Sequence, residues 1–316
     1  MLQTSIYRIV FNVLALVPGV AFLPLVVATI VFGKGAVKRG PIYLNFIIAT
    51  ALLGLSFGLL GLAGQQDQLQ PKSRTLCYIQ TVLVDGTLGM TPVSILALVL
   101  QLGLGLYNLR DPAAGSRWAP LRNVVFITTP YIAFLTFAVR DIIFITEIQA
   151  GSDEYDVVNP AFYCMLSALN TPLAPLSFIE NPLVLFIAAV SCITLLVECF
   201  IAYLLWREWN GLRTASKDGS EAGPVRVPVG ALIRLVVFTV YRIAVIVIAI
   251  YVVQDPKMFP IAEFFHGTIP LVVFLIFGLQ RDIVGTWLGW FKCSTYTSTG
   301  PIAVKVTREQ AKYEDA

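Results

Sequence analysis

The chain has 316 residues, 57% hydrophobic and 13% charged, with a mean hydropathy of +0.78 and a formal net charge of +3. Soluble domains run about 45–50% apolar and about 25% charged, so this composition excludes a soluble enzyme, a disordered chain and a nucleic-acid binder. Five cysteines are too few for a secreted disulfide scaffold. The sequence reads as an all-α integral membrane protein.

About 20 mostly apolar residues carry a helix across a hydrocarbon core. Seven such runs follow one another, at 8–32, 42–64, 76–106, 122–146, 182–206, 229–253 and 261–280. The first exceeds the length of a signal-peptide core, and no small-x-small cleavage site follows it, so it reads as a retained helix. The fourth contains Pro130, a residue able to kink a helix, and Arg140-Asp141 interrupts its outer end. There is no fixed-period repeat and no alternation suited to a membrane barrel.

Basic residues set the orientation. Fifteen lysines and arginines fall in the first, third and fifth connections and after the last run, including Lys34, Arg110, Arg207, Arg213, Arg226, Arg281 and Lys312. The opposite side holds five: Arg8, Lys72, Arg74, Arg140 and Lys257. The fifteen-charge side is predicted to be cytoplasmic, which puts the N-terminus outside and the tail inside. Residues 1–292 are expected to form a seven-transmembrane helix bundle with an interfacial helix, and 293–316 a disordered cytoplasmic tail. The outer segment 147–180 is long and acidic, and the inner segment 207–228 polar and flexible. No usable Asn-x-Ser/Thr acceptor occurs, so no N-glycosylation is expected.

Cys77, at the outer mouth of the third run, and Cys164, in the long outer loop, are the only two cysteines on that side. In an oxidising compartment they predict a disulfide that pins the loop over the bundle mouth; the alternative is two unpaired thiols. Cys192 and Cys199, seven apart, share a helix face and read as small buried packing residues. After the last run, Ile283, Val284, Trp287, Leu288, Trp290 and Phe291 recur at helical spacing beside Arg281, Asp282 and Lys292. That pattern predicts a helix lying flat on the membrane, with Cys293 a candidate palmitoylation site.

Seven runs, an outer N-terminus, Cys77 with Cys164 and a terminal amphipathic helix together resemble a G-protein-coupled receptor. Leu76-Cys77-Tyr78, Phe162-Tyr163-Cys164, Arg234-Leu235-Val236-Val237-Phe238-Thr239 and Phe277-Gly278-Leu279 are similar in placement to the fungal mating-pheromone receptors. The layout covers nearly the whole chain. Where rhodopsin-like receptors carry an acid-Arg-aromatic motif, this chain has Gln101-Leu102-Gly103, and the nearest arginine is Arg110. The seventh run lacks both the Asn-Pro-x-x-Tyr motif and the lysine on which a microbial rhodopsin would hold retinal. The resemblance implies a plasma-membrane receptor that binds a small molecule or short peptide between the third, fifth, sixth and seventh helices. It further implies a heterotrimeric G protein as partner, contacted by Arg110, Arg207, Arg213 and Arg281.

An ionisable group within a span costs about 2.5–3.5 kcal/mol and is by default paired or functional. At about 1.5 Å per residue, Asp85 lies about 13 Å below Leu76 and Arg242 about 16 Å below Val253. Glu198 lies about 12 Å, and Arg234 about 8 Å, above the inner ends of their runs. This arithmetic pairs Asp85 with Arg242 as the floor of a ligand pocket, and Glu198 with Arg234 as an inner latch; the second pair could equally be structural, whereas the functional reading is favoured for Asp85 because receptors of the resembled layout bind ligand at the outer half of the third helix. Arg234, Phe238, Tyr241, Arg242 and Val245 form one helical stripe, which must face the bundle interior.

Thr81, with Gln80, Thr87 and Thr91, reads as pocket lining, with helix packing as the alternative. Glu263 and His266, three apart, share a face and read as a capping or loop-contacting pair, then as pocket lining. They are too few for a metal site. Gly54, Gly58, Gly61 and Gly64 have close-approach spacing, which serves packing within the bundle more often than dimerisation.

Catalytic signatures are missing. One histidine excludes His-Glu-x-x-His, and neither a Gly-x-Ser-x-Gly elbow nor a Gly-Lys-Ser/Thr loop occurs. Intramembrane aspartyl chemistry needs two aspartates meeting at depth, and none is expected opposite Asp85. No enzyme activity and no cofactor are expected. A solute transporter is the second expectation, although its prolines form no symmetric pair of broken helices.

Overall fold

A computed structural model describes residues 2–32, 39–64, 73–110, 119–150, 155–158, 162–168, 182–217, 229–254 and 259–293. Helix occupies all seven apolar runs. The first is α1 (Leu2–Val17), a π-helical turn at Pro18–Phe22 and α2 (Leu23–Phe32). There follow α3 (Pro41–Leu62), α4 (Arg74–Arg110), α5 (Ala119–Gln149), α6 (Pro182–Lys217) and α7 (Val229–Gln254). The seventh run is broken into α8 (Phe259–Gly267), α9 (Ile269–Val273) and a second π-helical turn at Phe274–Gly278. The last helix is α10 (Arg281–Cys293). Pro130 does not end α5, which continues through it to Gln149.

Four helical stretches are long and apolar enough to cross a membrane: Ile9–Phe32, Pro41–Leu62, Arg74–Gly105 and Pro182–Arg207. They become five if Glu263–Gly278 and Arg281–Leu288, bent by 83°, count as one broken span. The distribution of side chains is consistent with a membrane protein. Thr50, Gln80, Thr87, Ser94, Asp141 and Glu198 are buried, whereas Phe32, Ile132, Leu196, Phe200 and Val240 are exposed. Polar groups inside and apolar groups outside suit a hydrocarbon surrounding, where only the interior offers hydrogen-bond partners.

The long helix α4 is the hub, packing against α3, α5 and α6. Its approach to α5 rests on glycine: a Cβ at Gly86 would lie 2.7 Å from the Phe134 ring, and Gly89 faces Phe137 in the same way. On α3 the glycine ladder meets the first helix of its own chain. A Cβ on Gly54 would stand 2.6 Å from the Ala15 carbonyl oxygen, 2.8 Å from the Gly19 Cα and 3.1 Å from Pro270. Gly58 faces Leu16, and Gly61 faces the Asn12 amide. Gly64 belongs to no packing face; at φ +65° it ends the helix in the left-handed conformation that glycine adopts without strain.

The core divides by depth. Toward the ends near Tyr43 and Gln280, Phe46, Phe238 and Phe277 form a triangle with centroids 5.4–6.1 Å apart and planes at 70–80°, the rings meeting edge to face. The two π-helical turns also meet, Phe22 stacking on Phe274 at 4.6 Å. Toward the outer ends a second cluster gathers Phe11, Leu53, Phe57, Val84, Phe162 and Tyr163.

The structure departs from expectation at two places. The outer segment contains an antiparallel hairpin, β1 (Tyr155–Val158) paired with β2 (Met165–Ala168), in the register Tyr155 to Ala168. Cys192 and Cys199 are exposed rather than buried. They lie on the outward face of α6 with Ile193, Leu196 and Phe200, while Thr194, Glu198 and Ile201 turn inward. Spacing alone placed both cysteines on one face but could not say which.

Gly54→Val forces α3 away from both α1 and Pro270. We expect a loss of about 1–3 kcal/mol from overpacking, read as a lower unfolding midpoint in detergent, whereas Gly64→Asn leaves the midpoint nearly unchanged.

Candidate functional site

The outer mouth is filled from within the chain. Cys77, in the first turn of α4, and Cys164 stand at disulfide distance, with Cα atoms 5.4 Å apart, inside the range such a bridge requires. Gln80, one turn deeper on α4, completes the attachment. Its side-chain oxygen accepts from the Cys164 backbone N–H at 3.0 Å, and its nitrogen donates to the Ser56 and Phe57 carbonyls, each at 3.1 Å. Loop, α4 and α3 are thereby joined through one buried amide.

These attachments drive Phe162 and Tyr163 into the bundle. Phe162 stacks on Phe11 at 4.6 Å, and Tyr163 packs against Phe57 at 5.0 Å. Burial pushes the Tyr163 phenol well above its usual range, and the carboxylates of Glu263 and Asp85 push the same way. The phenol therefore remains protonated at every physiological pH.

Two charge clusters lie deeper, and both use partners other than those the depth arithmetic chose. Asp85 is paired with Arg140, Nη2 to Oδ2 at 2.8 Å. The same guanidinium reaches Asp141 at 2.6 Å and lies 5.5 Å from the Phe137 ring centroid. Arg140 and Arg242 lie at comparable depths, so depth could not choose between them. Adjacency decides, because the glycines of α4 bring α5 close enough for Arg140 to reach across. The second aspartate judged missing opposite Asp85 is therefore present. Arg140 stands against both carboxylates and bridges them.

Glu198 is paired with Arg242, Oε1 to Nη1 at 3.1 Å, and its other oxygen accepts from Thr239 at 2.9 Å. The expected Glu198–Arg234 latch is not formed. Helix α6 runs to Lys217, eleven residues past the predicted end, so depth counted from that end did not fix the level of Glu198, which meets Arg242, two turns above Arg234 on α7.

Other predicted ligand residues are engaged within the bundle. Thr81 is buried and its hydroxyl donates to its own helix at Cys77. Tyr241 donates to the Phe265 carbonyl at 2.8 Å and shares a hydrogen bond with Thr268 at 2.7 Å, tying α7 to the break between α8 and α9. His266 is half-buried on α8. Glu263 is different: it is 2% exposed, and neither carboxylate oxygen closes a hydrogen bond of good geometry, although the Phe162 backbone amide lies near.

At the inner end, a clasp that the sequence did not reveal joins α10 to the bundle. Arg39, ahead of α3, pairs with Asp282 at 2.6 Å and with the Gln280 side chain. Gln280 and the Phe277 carbonyl both contact the Tyr43 hydroxyl. Trp287 donates to Thr29 at 2.6 Å and stacks near Phe274. Among the residues expected to meet a G protein, Arg207 and Arg281 are exposed. Arg110 and Arg213 lie in helix, as does Cys293, and their side chains fall outside the described residues. The polar stretch 218–228 and the tail from 294 also lie outside them.

No family model and no curated protein matches this chain. What it does must therefore be argued from its own residues.

Removing one partner of a buried ion pair costs about 3–5 kcal/mol, because the other charge stays buried. We expect that loss for Arg242→Met, substantial recovery in Glu198→Leu/Arg242→Met, and a change below about 1 kcal/mol for Arg234→Met. Equilibrium unfolding in mixed micelles measures all three.

Proposed function

We propose that the chain is a seven-span helical receptor of the plasma membrane, with its N-terminus outside and its C-terminus in the cytoplasm. It binds an extracellular small molecule or short peptide and signals to a heterotrimeric G protein. The layout resembles the fungal mating-pheromone receptors. One observation supports the reading above the others: the bundle is fastened separately at its two ends. The disulfide and Gln80 hold an aromatic plug in the outer mouth, while Arg39, Asp282 and Trp287 clasp the inner ends. A ligand that competes with the plug acts on α3, α4 and α8, and a partner that competes with the clasp acts on α2, α3 and α10. The helices between are the means by which one event biases the other, as reciprocal coupling requires.

Two further features support this assignment. Tyr241 connects α7 to the break in the seventh run, so movement of α7 is coupled to the α8–α9 hinge. The basic residues Arg207 and Arg281 stand exposed at the end that the charge bias makes cytoplasmic.

The test compares the intact chain with Asp282→Asn, which loosens the inner clasp without touching the outer mouth. We expect Gα subunits to co-purify with both, to be released by a GTP analogue, and to bind Asp282→Asn severalfold more tightly. Absence of Gα contact for either form, with solute flux in reconstituted vesicles, would replace the receptor with a carrier.

A further inference from the structure

We propose that Glu263 is a proton-loading site beneath the outer plug, so that lifting Phe162–Tyr163 from the mouth releases a proton to the outer side. Receptor or carrier, the chain would be coupled to external pH at this residue. The argument begins with the carboxyl group itself. Glu263 is 2% exposed and both its oxygens are without a closed hydrogen bond. An ionised carboxylate in that position would have given up its hydration for the nearby Phe162 backbone amide alone.

Among the described residues, no lysine or arginine is paired with Glu263. On its own helix the other titratable group is His266, three residues on. The plug presents Tyr163, whose phenol keeps its proton. Helix α7, packed against α8, carries Arg234, Tyr241, Arg242 and Tyr251. Arg242 is committed to Glu198, and Tyr241 to Phe265 and Thr268. Helix α1, also against α8, has Tyr7 and Arg8 near its start, and α9 has no titratable residue. Across the plug, α4 contributes Asp85, which bears on the same Tyr163 phenol as Glu263. That aspartate and Asp141 share the one guanidinium of Arg140. No described cation is therefore left over for Glu263 on this side of the bundle.

The geometry also couples the proton to movement. Phe162 and Tyr163 lie beside Glu263 and are held in place by stacking on Phe11 and Phe57. When the plug rises, water reaches the acid, its O–H bond breaks, and the proton leaves to that water while the bonding pair stays on the carboxylate. Return of the plug requires a proton to be taken back. Lower external pH therefore favours the closed mouth, and higher pH the open one.

Two measurements on the purified full chain test this. In the infrared, the carbonyl stretch of a protonated carboxyl is expected at neutral pH and is lost in Glu263→Gln; Glu263→Asp shifts the band, which secures the assignment if the glutamine variant folds poorly. Absence of any such band from Glu263 would overturn the proposal. In the second measurement, a water-soluble phosphine reduces Cys77–Cys164 at a rate that reports how often the plug lifts. The ratio of the native rate to the Glu263→Gln rate should rise with pH. A ratio independent of pH would show that the acid does not control the plug.

Discussion

A charge inside an apolar bundle must be met by an opposite charge or give up its own, and the arrangement of these helices follows from that constraint. Two clusters meet it by pairing. Asp85 and Asp141 require Arg140, and Arg140 is within reach only because Gly86 and Gly89 let α4 and α5 approach. Glu198 requires Arg242, which fixes the relative height of α6 and α7 to within a helical turn. Hydrophobic burial offers no such discrimination among helices surrounded by hydrocarbon, since a leucine is as well placed against lipid as against a neighbour. Close-packed glycines and buried charges therefore carry most of the specificity of the packing.

The same constraint separates the two ends of the molecule. The outer mouth is closed by aromatic rings and one buried amide, contacts that are local and short-ranged. The opposite end is closed by Arg39 with Asp282, both partly exposed, and by the Trp287 indole N–H donated to the Thr29 hydroxyl. Half-exposed ion pairs are weak, about 0–1 kcal/mol. The Arg39–Asp282 clasp is thus the easier of the two to release, whereas the disulfide keeps the loop beside the mouth.

Much of this architecture was legible in the sequence, for physical reasons specific to membranes. Length and apolarity located helix in each apolar run, four or five of them long and apolar enough to cross a membrane, because a span must supply its own backbone hydrogen bonds over a fixed thickness. The Cys77–Cys164 pairing and the terminal amphipathic helix were likewise readable, one from side and number, the other from spacing. The ion pairs were not. Depth is a one-dimensional coordinate measured from helix ends, and it failed where α6 continued to Lys217 and where Arg140 had been counted as a loop residue. The inner clasp was hidden for another reason: Arg39, Tyr43 and Gln280 carry no motif, and only the bend before α10 brings them together. The hairpin in the outer loop left only four-residue strands, too short for alternation to announce them.

The seventh run shows how local breaks serve the whole. Its helix is interrupted at Thr268 and widened at Phe274–Gly278, and Pro270 sits between, packed against Gly54. Proline supplies no backbone donor, and beside it Thr268 and Tyr241 both donate to the Phe265 carbonyl at the break. A π-helical turn lies beside it in the first helix, where Pro18 plays the same part. The two irregular turns face each other through Phe22 and Phe274. Each therefore lies where its neighbour can adjust with it, and a rotation of α8 at the mouth reaches Phe277, Gln280 and the inner clasp through these turns rather than through a rigid rod.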